Sequence, residues 1–367
     1  MYDNFLIPGK ASFLIGGQFG SEAKGAAAAS LAHQLSLRGE GFDICTTNAS
    51  AQAGHTSIHS DIKRIAFHLP TIALIQQQEL NKKPTIYLNA GCAIDVEVLR
   101  SELWEYNVDL TRFHIHPNAA IITDECKEAE RRADSAQTKI ASTRKGVGEA
   151  LARKVLRSGG IARDNPVLRP FCRDLNLNDE LRRGKSVAVE VPQGLSLSIN
   201  SRFYPYCTSR DCTLEQAMND AAIHPHFYGA SMLIVRTFPI RVGAIIEDGN
   251  LLGSSGDYYP DQRETSWEEL EQPAEITTVT KRVRRVFTFS YHQLAEAMAR
   301  VRPKVVFISF CNYVRDPSEL SSIINIIKVK SDRLGIPRPE IVLEYGPTTA
   351  DVHPEAYIKS DQLEFKL

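Results

Sequence analysis

The stretch that most constrains the fold is the glycine-rich segment 16–25, GGQFGSEAKG. It follows the apolar run 11–15, long enough for a buried strand, and it opens into the alanine-rich segment 26–37, which favours a helix. A strand, a glycine-rich turn and a helix N-terminus form a phosphate cradle, because backbone N–H groups, the helix dipole and Lys24 all favour an anion. The segment departs from a regular P-loop, since Ala23 precedes the lysine and no Ser or Thr follows it. A tight turn with one snorkelling lysine is the alternative.

The composition excludes several classes of function. The 367 residues are 43% hydrophobic and carry a formal net charge of -1, so a large core is expected and there is no basic excess for binding nucleic acid. No apolar stretch is long enough to cross a membrane, and residues 1–4 lack the charged start of a secretory signal. The seven cysteines include no C-x-x-C pair, which favours reduced thiols. We expect a cytoplasmic protein with no nucleic-acid or membrane partner.

Strand-like and helix-like segments alternate along the chain. Predicted strands cover 42–46, 65–69, 85–88, 187–191, 231–238, 305–310 and 340–344, and predicted helices cover 95–106, 123–138 and 318–333. This alternation predicts an α/β fold with a large, mainly parallel, doubly wound sheet of the P-loop-NTPase-like kind and long functional loops. No repeat or clear linker interrupts it, so residues 1–367 are expected to form a single domain.

Two further segments carry alternative interpretations. His114 and His116 would place two imidazoles on one strand face, but no Cys, Asp or Glu stands at ligand spacing, so a half-buried strand is favoured over a metal pair. The run 277–285 has four cations in five residues. It is either a solvated basic face or a loop whose guanidinium groups bind carboxylates.

Five segments, in order along the chain, resemble the adenylosuccinate synthetase family. The glycine-rich segment matches that family's G-x-Q-W-G-D-E-G-K-G except at Phe19, Ser21 and Ala23. The other segments resemble the family's N-A-G-H-T, G-T-T-x-x-G-I-G, E-G-A-Q-G with T-Y-P-Y-V-T-S, and the arginine loop T-T-G-R-x-R-R. They are residues 52–56, residues 141–148, residues 190–194 with 203–209, and residues 279–285.

The resemblance implies a two-step ligase reaction. Family members condense a 6-oxopurine nucleotide with aspartate at the expense of a nucleoside triphosphate. They phosphorylate the 6-oxygen, and the aspartate amine then displaces phosphate at C6. Such chemistry needs oxyanion donors, a lysine, Mg²⁺, a base for the N1 proton and an acid near the transferred group. The resemblance also implies a homodimer in which Arg157 reaches the substrate of the neighbouring subunit.

The resemblance assigns roles residue by residue. The catalytic set is Ser21, Lys24, His55 and Gln193, with His55 as the acid; a structural loop histidine is the alternative. The triphosphate set is Gly17, Gln18, Phe19, Gly20, Ser21, Glu22, Ala23, Lys24, Gly25, Gly54, His55, Thr56, Asn312, Gly346 and Pro347. The acceptor-nucleotide (dGMP) set is Ser21, Gln52, Ser142, Thr143, Arg157, Gln193, Thr208, Val242 and Arg282. The aspartate set is Val279, Thr280, Arg282 and Arg284, and the magnesium set is Ser21 and the Gly54 carbonyl.

Two departures from the family pattern change the expected substrates. The family's N1 base and magnesium ligand is an aspartate, but this chain has Ser21, a very weak base and a neutral ligand. The family reads the guanine of GTP with T-K-x-D, but Phe310 replaces the lysine and Asn312 replaces the aspartate. Both departures resemble one branch, the phage 2-aminoadenylosuccinate synthetases, which join dGMP to aspartate with ATP or dATP and supply 2-aminoadenine for phage DNA.

We therefore expect dGMP, L-aspartate and ATP or dATP as substrates, and the host cytoplasm as the location. An ordinary synthetase that acts on IMP with a displaced base is one alternative. A nucleotide-binding switch that has lost catalysis is another, but such a switch would not need His55, Gln193 and the arginine loop.

Overall fold

The structure, a computed structural model, describes residues 1–81, 83–277 and 281–355. Its α-helices are α1 Lys24–Ser36, α2 Thr71–Glu79, α3 Val96–Glu105, α4 Asp124–Arg131, α5 Ala136–Lys139, α6 Val147–Val155, α7 Leu177–Arg182, α8 Leu214–Asp220, α9 Tyr291–Val301 and α10 Pro317–Arg333. Its strands are β1 Ala11–Gly16, β2 Ile44–Thr47, β3 His55–His59, β4 Ile62–Ala66, β5 Thr85–Leu88, β6 Ala93–Ile94, β7 Phe113–Ile115, β8 Ala120–Ile121, β9 Val187–Glu190, β10 Tyr228–Arg236, β11 Ile240–Arg241, β12 Ile245–Glu247, β13 Asn250–Gly253, β14 Glu264–Thr265, β15 Arg285–Phe287, β16 Val305–Ser309, β17 Glu340–Glu344 and β18 Val352–Pro354.

A nine-stranded sheet with the order β18-β17-β16-β10-β1-β9-β2-β5-β7 forms the centre of the described chain. Strand β1 lies in the middle and pairs in parallel with β10 and β9. The other neighbours are also parallel, except that β18 runs antiparallel to β17 at the edge. The remaining strands form small ribbons, including the antiparallel hairpin β3-β4. The mainly parallel sheet expected from the sequence is confirmed.

Helices cover both faces of this sheet. On β1, Leu14 points into a core that also contains apolar residues of α1, α2 and α3. Its neighbours Phe13 and Ile15 point into a second core with residues of α7, α8, α9 and α10. Because successive side chains of a strand alternate between faces, a strand buried on both sides reads as a continuous apolar run. The doubly wound arrangement follows. Across residues 1–81, 83–277 and 281–355, no helix is long and apolar enough to cross a membrane.

Two predicted elements differ from the structure. The predicted helix 123–138 is divided into α4 and α5, because Arg132 has an extended ψ of 138° and Ser135 caps a new helix by accepting from Thr138 N–H. The predicted strand 65–69 is the end of β4, which leaves the strand conformation after Ala66 and pairs with β3 outside the main sheet. His114 lies on β7 at the edge of the sheet, as the half-buried strand interpretation expects.

The parallel strands bring their carboxyl ends to one edge of the sheet. The last residues of β1, β2, β9, β10, β16 and β17 are Gly16, Thr47, Glu190, Arg236, Ser309 and Glu344. The loops that follow these residues contain almost every segment that the sequence analysis selected. Ligands of open α/β sheets bind at this edge, so the fold collects the candidate residues in one place.

Candidate active site

The glycine-rich loop between β1 and α1 is organised by the buried carboxylate of Glu22. Its Oε1 accepts hydrogen bonds from the backbone N–H groups of Gln18 at 3.0 Å and Gly20 at 2.8 Å. Its Oε2 lies 2.6 Å from the Lys24 ammonium. Lys24 is only 4% exposed, which excludes the alternative of a lysine that snorkels to solvent. The lysine is therefore held in the loop by an anion that is already present.

Gly17 and Gln18 fasten the loop to strand β10. The Gly17 N–H donates to the Ile234 carbonyl at 2.8 Å, and a side chain on Gly17 would meet Leu233 at 2.8 Å. The Gln18 amide accepts from the Arg236 N–H at 2.9 Å and donates to the Arg236 carbonyl at 3.1 Å. The contacts of Gly17, Gln18 and Glu22 hold the loop in shape, and their contact with a triphosphate stays a prediction.

A cavity of about 480 Å³ lies at the carboxyl edge of the sheet. Its lining includes Phe19, Gly20, Ser21, Ala23, Lys24, Gly25, Gln52, Gly54, His55, Thr56, Thr143, Gln193, Val242, Arg284, Asn312, Gly346 and Pro347, all of which the sequence analysis selected. An adjoining cavity of about 120 Å³ shares Phe19, Gln52, Thr143, Gln193 and Val242 with the first and adds Ser142 and Thr208. Residues far apart in the sequence are thus brought around one continuous space.

His55 lines this cavity, and among the described residues one of its ring nitrogens has a hydrogen-bond partner and the other has none. Its Nδ1 lies 2.5 Å from Glu190 Oε1, and both side chains are buried. The second Glu190 oxygen accepts from the Ile72 N–H at 3.3 Å. The Nε2 atom of His55 is buried and has no hydrogen-bond partner among the described residues. A carboxylate that fixes Nδ1 leaves Nε2 to give or take a proton.

Glu190 was not among the predicted site residues. It ends the apolar strand β9 and is only 1% exposed. The available signal was a carboxylate at the end of an apolar run, because a buried charge needs a partner. The sequence does not say which partner that is, since His55 is 135 positions away.

The smaller cavity is lined by hydroxyl and amide groups. The Gln52 amide donates to the Thr208 hydroxyl at 3.5 Å, while the Gln52 Oε1 is buried with no hydrogen-bond partner among the described residues. Thr143 and Gln193 line both cavities. Hydroxyl and amide donors, together with the Arg241 guanidinium that also lines this cavity, suit the phosphate and base of a nucleotide. The structure therefore places the predicted acceptor-nucleotide residues together, apart from Arg157 and Arg282.

Arg282 and Arg284 of the arginine loop make different contacts. Arg282 donates to the carbonyls of Gly243 at 2.9 Å, Ala141 at 2.8 Å and Ser142 at 3.0 Å, so its guanidinium ties three loops together. Arg284 instead lines the main cavity. Burial lowers the pKa of the Arg284 guanidinium to about 10, so it stays charged at neutral pH. The cavity thus contains a desolvated cation suited to an anionic ligand.

Two predicted aspartate contacts, Val279 and Thr280, lie outside the described residues. Nothing in the structure tests their assignment.

An ion pair between Arg236 and Glu275, which the sequence analysis missed, lies next to Ser21. Arg236 is fully buried and donates to Glu275 at 2.5 and 3.2 Å and to the Ser21 carbonyl at 3.1 Å. Its guanidinium lies 3.9 Å above the Phe310 ring. Burial would raise the pKa of Glu275, but the charges of Arg236 and Arg284 hold it below its usual range. The pair therefore stays ionised and fixes the loop at Ser21.

The far end of the main cavity is lined by Phe310, Asn312, Glu344, Gly346 and Pro347. Glu344 accepts from the Phe310 N–H at 3.0 Å. Burial raises the pKa of Glu344 to about 8, so its carboxyl group is mostly protonated at neutral pH. The residues expected to contact the donor base are therefore together, with a neutral carboxyl group that was not predicted from the sequence.

Arg157 lies away from the cavity of its own chain. It follows the C-terminal end of α6, is exposed, and donates to the Val155 carbonyl at 2.8 Å. Val155 and Leu156 beside it are 69% and 73% exposed. This position does not suit a contact with a nucleotide bound in the same chain. The contact of Arg157 across a dimer stays a prediction.

Comparison with known proteins places the chain among synthetases. The sequence model of the adenylosuccinate synthetase family matches residues 13–166 and 165–309. The N6-succino-2-amino-2'-deoxyadenylate synthase of Salmonella phage PMBT28 is 34% identical over 369 residues, which cover 94% of this chain and 97% of that protein. The adenylosuccinate synthetase of Pyrococcus horikoshii is 32% identical over 295 residues, 78% of this chain and 79% of that protein.

A solved structure is similar over nearly the whole chain. It is the succinoaminodeoxyadenylate synthetase of cyanophage S-2L, bound to dGMP and to dATP as an energy donor. The TM-score is 0.80 with 30% sequence identity, and the match covers 94% of this chain and 95% of that one. The similarity therefore extends to the loops at the edge of the sheet as well as to its strands.

Proposed function

The chain belongs to the adenylosuccinate synthetase family, and on that premise we propose that it condenses dGMP with L-aspartate. The product is 2-amino-2'-deoxy-N6-succinyladenylate, and ATP or dATP supplies the phosphoryl group. The names of the phage relatives and the nucleotides bound to the cyanophage enzyme support these substrates. The supply of 2-aminoadenine for phage DNA follows from that product.

The observation that carries the proposal is the state of His55. Its Nε2 has no partner among the described residues and lies in the same cavity as Lys24 and Arg284. A histidine held by a carboxylate at Nδ1, beside a phosphate cradle and a buried cation, suits proton handling during phosphoryl transfer. A nucleotide-binding switch would not need this arrangement.

In the first step, the 6-oxygen of dGMP attacks the γ-phosphorus of the triphosphate, the bond between that phosphorus and the β-phosphate oxygen breaks, and ADP or dADP leaves. Lys24 and the backbone N–H groups at the start of α1 hold the triphosphate oxygens and offset the charge that develops on them. His55 donates a proton or a hydrogen bond from Nε2 to the transferred group, and Glu190 stabilises the imidazolium. The base that takes the N1 proton is not Ser21, because a serine hydroxyl is a very weak base near neutral pH.

In the second step, the aspartate amine attacks C6 and inorganic phosphate leaves. Arg284 binds a carboxylate of the aspartate, since it is the arginine-loop guanidinium that reaches the main cavity and guanidinium groups match carboxylate geometry. Arg282 shapes the site indirectly by holding the carbonyls of residues 141, 142 and 243.

The purine preferences follow from two neutral side chains. Ser21 leaves space beside N1 and its oxygen accepts a hydrogen bond from the 2-amino group of guanine. At the donor end, Asn312 lacks the carboxylate that would accept from guanine N1 and N2 together, so an adenine nucleotide is the donor.

The residues predicted to hold Mg²⁺ fit that ion in chemistry. Ser21 and Gly54 line the main cavity and offer hydroxyl and carbonyl oxygens, the hard ligands that Mg²⁺ prefers. Glu22 is engaged by Lys24 and by two backbone N–H groups. Most ligands of the ion must therefore come from the triphosphate and water. When bound, Mg²⁺ supplies charge neutralisation of the transferred phosphoryl group.

The proposed assembly is a homodimer in the cytoplasm. The exposed position of Arg157, next to the exposed apolar residues Val155 and Leu156, supports a surface that a second subunit covers. In such a dimer Arg157 contacts the monophosphate of the neighbouring subunit.

Isotope transfer tests the reaction. We expect the purified chain, given ATP, aspartate and dGMP with heavy oxygen at the 6-position, to form the succinyl product and to place the label in inorganic phosphate. The label should follow product formation one to one, and His55→Asn should lose turnover while it still binds dGMP. Product formed with the label in water would contradict the 6-phosphoryl intermediate. Phosphate release without incorporation of aspartate would contradict the ligase assignment and favour a nucleotide-binding switch.

A further inference from the structure

Outside the active site, His33, His59 and Glu79 converge from three elements, α1, β3 and α2. His33 Nδ1 and His59 Nε2 each lie 2.8 Å from Glu79 Oε1. One ligand atom from each residue lies within 4.8 Å of the other two. We propose that these three side chains form a binding site for one divalent transition-metal ion of the zinc type, distinct from the magnesium site of the reaction.

The chemistry of the donors selects the class of ion. Two imidazole nitrogens and one carboxylate oxygen are the ligands of many zinc sites, in which a water molecule takes a fourth position. Magnesium and calcium prefer sites made of oxygen alone. Imidazole also suits Cu²⁺ and Ni²⁺, so the donor set points to a borderline transition metal.

The three side chains differ in exposure, and this difference suits the binding of an ion from solution. The His59 side chain is 6% exposed, whereas those of His33 and Glu79 are 26% and 21% exposed. An ion can reach the site from the side of His33 and Glu79, while His59 holds the inner position. Metals bind the neutral form of an imidazole.

A second contact fixes the orientation of His59. Its Nδ1 lies 3.0 Å from the Thr349 hydroxyl. Without an ion, the hydroxyl donates to Nδ1 and the Nε2–H donates to Glu79. With an ion on Nε2, the proton moves to Nδ1 and donates to the same hydroxyl, because a hydroxyl both donates and accepts. A hydrogen bond of this kind behind a ligating histidine is typical of metal sites.

The position of the cluster gives the ion a structural effect on the active site. His59 is on the strand that begins with His55, and His33 is on the helix that begins with Lys24. Thr349 follows the predicted base-contact residues Gly346 and Pro347, and the neighbouring Thr348 bridges to Ile58 on the same strand. An ion would therefore fasten α1 and β3, which both begin at the nucleotide site, to each other and to α2.

Two features oppose binding of the ion, and the second of them makes binding depend on pH. The nearby Arg64 repels a cation, although its guanidinium is engaged by Gln78 at 2.5 Å and by the Ile62 carbonyl at 3.1 Å. Metal binding displaces protons from imidazoles, so affinity falls as the pH is lowered.

The test uses the purified full chain, stripped with a chelator and free of nucleotide. We expect it to bind one Zn²⁺ tightly, to show the visible absorption of low-coordinate Co²⁺, and to melt at a higher temperature with Zn²⁺. His33→Gln and Glu79→Gln should each weaken Zn²⁺ affinity by about tenfold or more, and Thr349→Val by about tenfold. The controls His55→Asn and His292→Gln, the latter on a side chain that is 72% exposed, should keep the affinity.

Zn²⁺ affinity equal in the wild type and in His33→Gln would overturn the proposal. Because His33 is partly exposed, that variant tests binding even if Glu79→Gln is too unstable to use. Loss of binding in His55→Asn with retention in His33→Gln would also overturn it, because the ion would then be in the active-site cavity.

Discussion

Two buried glutamates, Glu190 and Glu344, end strands of the main sheet and have different contacts. Glu190 lies 2.5 Å from His55 and serves the ring that faces the cavity. Glu344 accepts one backbone N–H, from Phe310, and the charge of Asp351 adds to the effect of burial. Glu190 therefore positions the histidine proposed as the acid, whereas Glu344 is most stable with its proton.

The raised pKa of Glu344 predicts a pH-dependent stability. The pKa is about 8 in the folded chain, against an ordinary value of 4.5, so the folded state holds a proton that the unfolded state has released. Between these values the free energy of unfolding falls as pH rises, by at most about 1.4 kcal/mol per pH unit. We expect Glu344→Gln to remove this dependence. The melting temperature of the variant minus that of the wild type should therefore increase from pH 5 to pH 8.5.

The control for this prediction is Glu97→Gln, a substitution of a side chain on α3 that is 78% exposed. It should shift the melting temperature little at any pH. A difference between Glu344→Gln and wild type that does not change with pH would show that the buried carboxyl group is not the cause.

At the scale of single residues, the sequence analysis selected residues that stand in motifs. It missed residue pairs whose members are far apart in the sequence. Ser21, Lys24 and His55 were selected because each stands in a segment that resembles a motif of the family, and all three line the main cavity. Arg236 and Glu275 were not selected, because 39 positions separate them and only the fold brings them together. An arginine within an apolar strand was the available signal, since a buried cation needs an anion.

The contact between α1 and β3 joins the phosphate cradle to the strand of His55. Gly25, in the first turn of α1, touches the backbone of Thr56, and a Cβ on Gly25 would overlap the Thr56 carbonyl. The absence of a side chain therefore lets the helix N-terminus and His55 share one cavity.

We expect Gly25→Ala to separate these two elements. The added methyl group should cost about 1–3 kcal/mol of stability through overpacking and should weaken ATP binding, because α1 and β3 both line the cavity. Melting temperature and ATP titration measure the two effects. Gly160→Ala is the matched control, since its Cβ would find nothing nearer than 3.6 Å and should change neither. Equal behaviour of the two variants would contradict the close approach.

Helices and strands were largely predictable where the apolar pattern of the sequence matches the burial of the side chains. Strand β5 has the predicted bounds, α3 is one residue shorter than predicted at each end, and α10 begins one residue earlier than predicted. The hairpin β3-β4 was not predicted, because its pairing depends on how it packs beside α1 rather than on a local pattern. Residues 278–280 lie outside the described chain, so the aspartate loop stays a prediction there.

At the scale of the whole molecule, the exposed segment at the end of α6 bears on whether the chain forms a dimer. Arg157 is exposed beside two exposed apolar residues and lies away from the cavity. The prediction of one domain over residues 1–367 has not been tested, and neither has that of a homodimer. The second of these can be tested by mixing subunits.

Subunits with Arg157→Ala should complement subunits with His55→Asn. In a mixed dimer, the site with an intact His55 receives Arg157 from the other subunit, so one of the two sites is complete. We expect activity to rise after the two inactive variants are unfolded together and refolded, and not when either is refolded alone. Verified mixed dimers without activity would show that Arg157 does not serve the neighbouring site.

The most direct test of the account is the ratio of kcat/KM for dGMP to that for IMP, with ATP and aspartate, in the wild type and in Ser21→Asp. IMP lacks the 2-amino group and would leave the Ser21 oxygen without its hydrogen bond. We predict that the wild type favours dGMP by roughly 10²-fold or more and that Ser21→Asp loses most of its activity on dGMP. A wild-type enzyme that uses IMP as efficiently as dGMP would contradict the assignment and make the chain an ordinary adenylosuccinate synthetase.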